Sequence, residues 1–136
     1  MRAVSLFVIG VLSACTPSPR SNLSEKDVRL RVEPTELAAG DSITLVLENG
    51  SPDRIGYNLC TSDLQRSNDG GWETVPSDRV CTMELRTLPP GERARYPLSL
   101  ASGLAEGEYR YRTRVERLER GDRSDVPSEV FRVRVR

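Results

Sequence analysis

From Asp27 to Arg136 the apolar side chains fall on alternate positions, the period of a strand with one face buried. Val28, Leu30 and Val32 alternate with Arg29, Arg31 and Glu33. Ile43, Leu45 and Leu47 alternate with Thr44 and Glu48, with Val46 interrupting the polar side. Ile55, Tyr57 and Leu59 predict a third strand, and Asp69-Gly70-Gly71 reads as a hairpin turn into a short fourth, Trp72 to Val75. Val80 to Leu85 reads as a short extended segment across the top of the fold. Ala94, Tyr96, Leu98 and Leu100 follow, with Pro97 predicting an edge position because it has no N–H to give. Tyr109, Tyr111, Thr113 and Val115 alternate with Arg110, Arg112, Arg114 and Glu116, and Phe131, Val133 and Val135 with Arg132, Arg134 and Arg136.

Turn chemistry separates these runs: Pro34 and Gly40, Asn49-Gly50-Ser51-Pro52, Pro89-Pro90-Gly91, and the polar loop Gly121 to Asp125. The pattern predicts an all-β domain, an antiparallel β-sandwich of seven to eight strands in two sheets packed face to face. A helix over Arg110 to Arg120, free of Gly and Pro, is the weaker reading because the alternation there is strict and rich in Tyr, Thr and Val.

The first 26 residues behave differently. Met1-Arg2 is a short basic start, Ala3 to Val11 is apolar, and Leu12-Ser13-Ala14-Cys15 closes the run before Thr16-Pro17-Ser18-Pro19. That is the form of a secretory signal, too short to cross a bilayer, which takes about 20 apolar residues. Leu-Ser-Ala-Cys resembles the lipobox of bacterial lipoproteins. The resemblance implies cleavage before Cys15, lipidation of its thiol and a lipid-anchored protein of the cell envelope, on the periplasmic face or the cell surface. The organisation expected is therefore a signal over residues 1–14, a flexible tether over 15–26 and a single domain over 27–136.

Composition narrows the chemistry. Lys and Arg number 20 against 20 Asp and Glu, and losing Arg2 leaves 19 against 20, a net charge of −1. A nucleic-acid binder would show a basic excess, so no nucleic-acid partner is expected. Histidine is absent, which removes the commonest general base and metal ligand; neither enzyme activity, cofactor nor metal is expected. Asp63, Asn68 and Asp69 do not fit a calcium loop, since Gln65 takes the first position when Gly70 is set as the turn glycine. Ser24 and Lys26 lie in the tether, where a serine–lysine catalytic pair has no rigid pocket. Once Cys15 is lipidated, Cys60 and Cys81 remain, and in an oxidising compartment they are expected to pair. Their bridge closes a loop of about 22 residues, worth roughly 3 kcal/mol in the chain-entropy account.

Ala105-Glu106-Gly107-Glu108-Tyr109-Arg110-Tyr111 resembles the start of the penultimate strand of immunoglobulin-like domains, whose Gly-x-Tyr step places a tyrosine corner. Tyr109 matches that tyrosine. The antibody cysteine two positions on is replaced by Tyr111, Ile43 to Leu47 holds no cysteine, and Trp72 lies outside the third strand. The resemblance is therefore to the wider class of bacterial Ig-like domains, over residues 27 to 136. It implies a sandwich that displays loops or docks partners, with no catalytic residues.

Two features stand out as contact candidates. Arg110, Arg112 and Arg114 would share an outer face with Arg132, Arg134 and Arg136, side by side in neighbouring strands. Such a face is either an ion-pair lattice with Glu108, Glu116 and Glu129 or a contact surface for an anionic glycan, lipid or acidic envelope protein. Trp72, the lone tryptophan, is either an exposed loop anchor or a cap on the core beside the bridge. The function expected is non-catalytic binding or scaffolding at the membrane surface; the alternative is a protease-inhibitor-like domain presenting the Cys60–Cys81 loop.

Overall fold

A computed structural model describes residues 27–136. The signal, the tether and the Cys15 lipidation expected over residues 1–26 lie outside the described residues. Eleven strands follow one another among the described residues. The first six are β1 (Val28–Glu33), β2 (Glu36–Ala38), β3 (Ser42–Asn49), β4 (Ile55–Tyr57), β5 (Asp63–Asn68) and β6 (Gly71–Thr74). The rest are β7 (Arg86–Leu88), β8 (Arg93–Ser99), β9 (Gly107–Arg117), β10 (Arg123–Pro127) and β11 (Phe131–Arg134).

The strands form two sheets of an all-β sandwich. The smaller runs β1-β3-β8, antiparallel throughout. The larger is organised around β9, whose 11 residues are long enough to take two partners on each side. On one side Gly107 to Tyr109 pair with β11 and Arg112 to Glu116 with β10; on the other Tyr109 to Arg112 pair with β5 and Val115 to Arg117 with β4. β6 extends from β5, and β7 from β4. The chain switches sheets between β1 and β2, and β2 runs parallel to β11 at the far edge of the larger sheet.

Burial follows the period-two pattern. Val28, Leu30, Val32, Ile43, Leu45 and Leu47 meet Tyr109, Tyr111, Val115, Phe131 and Val133 between the sheets. The Phe131 ring stacks between Tyr109 and Tyr111, with centroids 6.2 and 5.9 Å away. Val46, on the outer face of β3, is also fully buried; its register partners Arg31 and Arg95 flank it with long aliphatic stems. The Asn49-Gly50-Ser51 turn is fixed by the buried Asn49 carboxamide. It donates to the Asp53 and Leu88 carbonyls and accepts from Ser51.

Several elements differ from the sequence pattern. The third strand ends at Tyr57, and Leu59–Thr61 forms a 3-10 turn. Residues 75–85 form no ladder: this stretch, which includes the short segment expected over Val80 to Leu85, runs beside β8 as a strap that pairs with no strand. β2, β5 and β10 are strands where the pattern marked turn or loop. Pro97 stands in β8, at the edge of the smaller sheet. Leu100 donates its N–H across the pair to Asp41, so the alternating ladder turns Pro97 to the open side, where no donor is missed.

Candidate binding surfaces

Arg110, Arg112 and Arg114 point outward from β9 because the alternate residues Tyr109, Tyr111, Thr113 and Val115 fill the core. Arg112 pairs with Asp63 at 3.3 Å and reaches Asp125 at 4.0 Å, while Arg114 pairs with Asp125 at 3.3 Å. Arg132 pairs with Glu108 at 3.1 Å, Arg134 with Glu36 at 3.2 Å, and Arg136 with Asp41. The two arginine rows share the outer face without lying opposite one another. β11 pairs only with the first three residues of β9, so Arg132 faces Glu108, and β10 occupies the stretch beside Arg112 and Arg114. Of the expected lattice acids, Glu108 serves Arg132 and Glu116 serves Arg123 at 3.5 Å, whereas Glu129 contributes its carbonyl, to Ser128.

Arg110 differs from its neighbours. Its Nε donates to the Gln65 carboxamide at 2.8 Å, and its guanidinium lies over the Trp72 ring, 4.3 Å from the centroid. Trp72 therefore does not cap the core. It stands on β6 opposite Ser67, half-exposed on the outer face, because the β5–β6 hairpin carries it onto the same surface as Arg110. A planar cation on an indole face is favourable by about 0.5–2 kcal/mol depending on desolvation.

Tyr109 donates its hydroxyl to the Ala105 carbonyl at 2.7 Å, closing the turn that leads into β9. Asp63 and Asn68 sit at opposite ends of β5, about 16 Å apart at strand rise, so Asp63, Asn68 and Asp69 do not converge on a metal. Among the described residues no group of three His, Cys, Asp or Glu side chains is placed to hold one.

The strap is pinned at several points. Cys60 and Cys81 form a disulfide with Cα atoms 5.7 Å apart. Val75 bonds Leu64, Arg79 donates to the Ser62 carbonyl at 2.7 Å, and Asn58 donates to the Thr82 carbonyl at 2.7 Å. Val80, between the anchors at Arg79 and Cys81, and Met83, just past Thr82, are 93% and 92% exposed.

Between the strap and β8 lies a cleft of about 570 Å³. Leu64, Val75, Tyr96, Leu98 and Leu104 form apolar walls. Its polar groups include Arg79, Ser62 and the Tyr111 hydroxyl. Burial pushes the Tyr111 pKa up, opposed by the charge of the nearby Arg79 guanidinium and by hydrogen bonding to it, so the phenol stays neutral. The sequence pattern did not single out Arg79 or Ser62. Each is a lone polar residue in a polar stretch, and only the folded strap brings them together.

A family profile described as a bacterial Ig-like domain matches residues 24–128. Among solved structures, the structural-genomics target SoR45 is 15% identical with a TM-score of 0.54, covering 80% of this chain and 87% of that one. The ASH/PapD-like domain 7 of human CEP192 is 12% identical with a TM-score of 0.45, covering 97% of this chain and 98% of that one. No curated protein matches the chain. At these identities the structural likeness to SoR45 speaks for the fold alone.

Proposed function

The chain belongs to the bacterial Ig-like domains, and on that premise we propose that it is a non-catalytic binding or scaffolding module, held at the cell envelope by a lipid on Cys15. The anchoring rests on the sequence Leu12-Ser13-Ala14-Cys15 after a short apolar run. The binding role rests on one observation, the Arg110 guanidinium seated on Trp72 with a carboxamide beside it in place of a carboxylate. On a face whose other arginines already hold carboxylates, this is where an anionic envelope component gains a charge-assisted hydrogen bond at least cost.

The test is crosslinking in native envelopes at low and high salt, comparing wild type with Arg110→Glu and Trp72→Ala. Salt-sensitive partners should vanish from both variants while thermal melts stay close to wild type. Recovery of the same partners across the salt range would mean the face is a solvated lattice. In parallel, Cys15→Ala should leave the membrane fraction or remain unprocessed. A mature wild-type chain that keeps residues 1–14 and carries no lipid overturns the anchoring.

A second reading draws on the strap. Val80 and Met83 project from either side of a disulfide-pinned Cys81, the form of a rigid loop offered to a protease. Met83→Glu should relieve inhibition of an envelope protease if that reading holds and leave a scaffold unaffected.

A further inference from the structure

We propose that the cleft between β8 and the strap binds a small apolar carboxylate, with Arg79 as its counter-ion. The site is separate from the Arg110–Trp72 face and does not depend on it. A volume of about 570 Å³ is that of a small-ligand pocket. Its walls are side chains packed on the core yet incompletely covered: Leu64, Val75, Tyr96, Leu98 and Leu104. Such surface favours an apolar body over water.

The polar groups define the other half of the ligand. Arg79 is half-buried, and its Nη2 is committed to the Ser62 carbonyl. Its Nε is buried with no hydrogen-bond partner. Among the described residues no carboxylate lies within ion-pairing distance of this guanidinium, although two acids line the same cleft. Asp63 is turned to Arg112, and Asp78 is exposed. The neutral Tyr111 phenol supplies a hydrogen bond and no charge. Ser62, 3% exposed, likewise lines the cleft with its Oγ unpartnered. A partly desolvated cation beside unmet donors is costly unless an anion compensates it.

The arrangement also selects against other ligands. One arginine suits a monoanion better than a phosphate, and the apolar walls disfavour a small inorganic ion. An added strand is disfavoured because Pro97 gives β8 no donor midway along its open edge. The shared chemistry is a carboxylate on an apolar body, available from a free fatty acid or from an apolar peptide C-terminus.

Calorimetry on the purified protein tests this with octanoate, octanol, acetate and N-acetyl-leucyl-valine. Octanoate or the dipeptide should bind saturably, at least about tenfold tighter than octanol or acetate, since a charge-assisted hydrogen bond is at stake. The tighter of the two carboxylates identifies the source. Arg79→Gln should lose that preference for the charged probe. Because Arg79 also anchors the strap, Leu104→Trp provides a second variant, filling the cleft with Arg79 intact and abolishing binding. Equal affinity for octanol and octanoate, no saturable binding of either carboxylate, or wild-type binding by a folded Leu104→Trp protein overturns the proposal.

Discussion

A Cβ on Gly56 would lie 2.8 Å from Cδ2 of Leu85 and 3.0 Å from Cδ2 of Leu118. β4 is thus bare at the point where the end of the strap lies against the larger sheet. Leu85 is 54% exposed and can move away, so the overpacking is partly relieved. Gly56→Ala should cost on the order of 1 kcal/mol and speed amide exchange over residues 82–86 more than elsewhere. Thermal melts and hydrogen exchange read the two effects; uniform exchange across the domain would contradict a local displacement.

Tyr109→Phe removes the hydroxyl bonded to Ala105 and keeps the ring against Phe131. The expected loss is about 0.5–1.5 kcal/mol. Phe131→Ala, which empties the space between two tyrosines, should lose about 3–5 kcal/mol. Denaturant unfolding of both variants checks the ratio, and equal losses would deny the packing its larger share.

Reducing the Cys60–Cys81 bridge, or replacing both cysteines with alanine, should cost about 2–4 kcal/mol. The damage should concentrate in the strap, so limited proteolysis should cut first within residues 75–85. Exported, unreduced protein that alkylates at both positions would contradict the bridge.

Acid should weaken the fold partly through Asp41 and Glu119. The Ala38 N–H, helped by Arg136, holds the Asp41 pKa below its ordinary value, and Arg54 does the same for Glu119. A carboxyl with a depressed folded pKa contributes stability above its unfolded pKa, and that contribution fades as pH falls through the folded value. Melting temperature should therefore decline below about pH 4, and the decline should be shallower in Asp41→Asn. An identical pH profile in that variant would refute the assignment.

The strands legible from the sequence were those with three or more alternating apolar residues, β1, β3, β4, β8, β9 and β11, together with β6, which the Asp69-Gly70-Gly71 turn announced. β5 escaped because DLQRSN carries a single apolar residue and owes its place to pairing with β9 and β6. β10 escaped because its charges look like loop chemistry until Asp125 meets Arg114 across the pair. The bridge was foreshadowed because Cys60 and Cys81 are the two cysteines left once Cys15 is set aside for lipidation in an oxidising compartment. Nothing in the sequence placed Trp72 on Arg110, because a hairpin's side of a sheet is set by the register of strands distant in sequence.

The parallel pairing of β2 with β11 carries a consequence for the order of assembly. Glu36 and Arg134, joined across that pair, stand 98 positions apart. A nascent chain can seat β1 on β3 early, and the smaller sheet is complete once β8 has been synthesised. β2 must wait for almost the entire remaining domain before its partner exists, a late and entropically costly closure. Translation halted before residue 131 therefore leaves Leu37 and the core beneath it open, and marks the unfinished chain for chaperones or proteolysis.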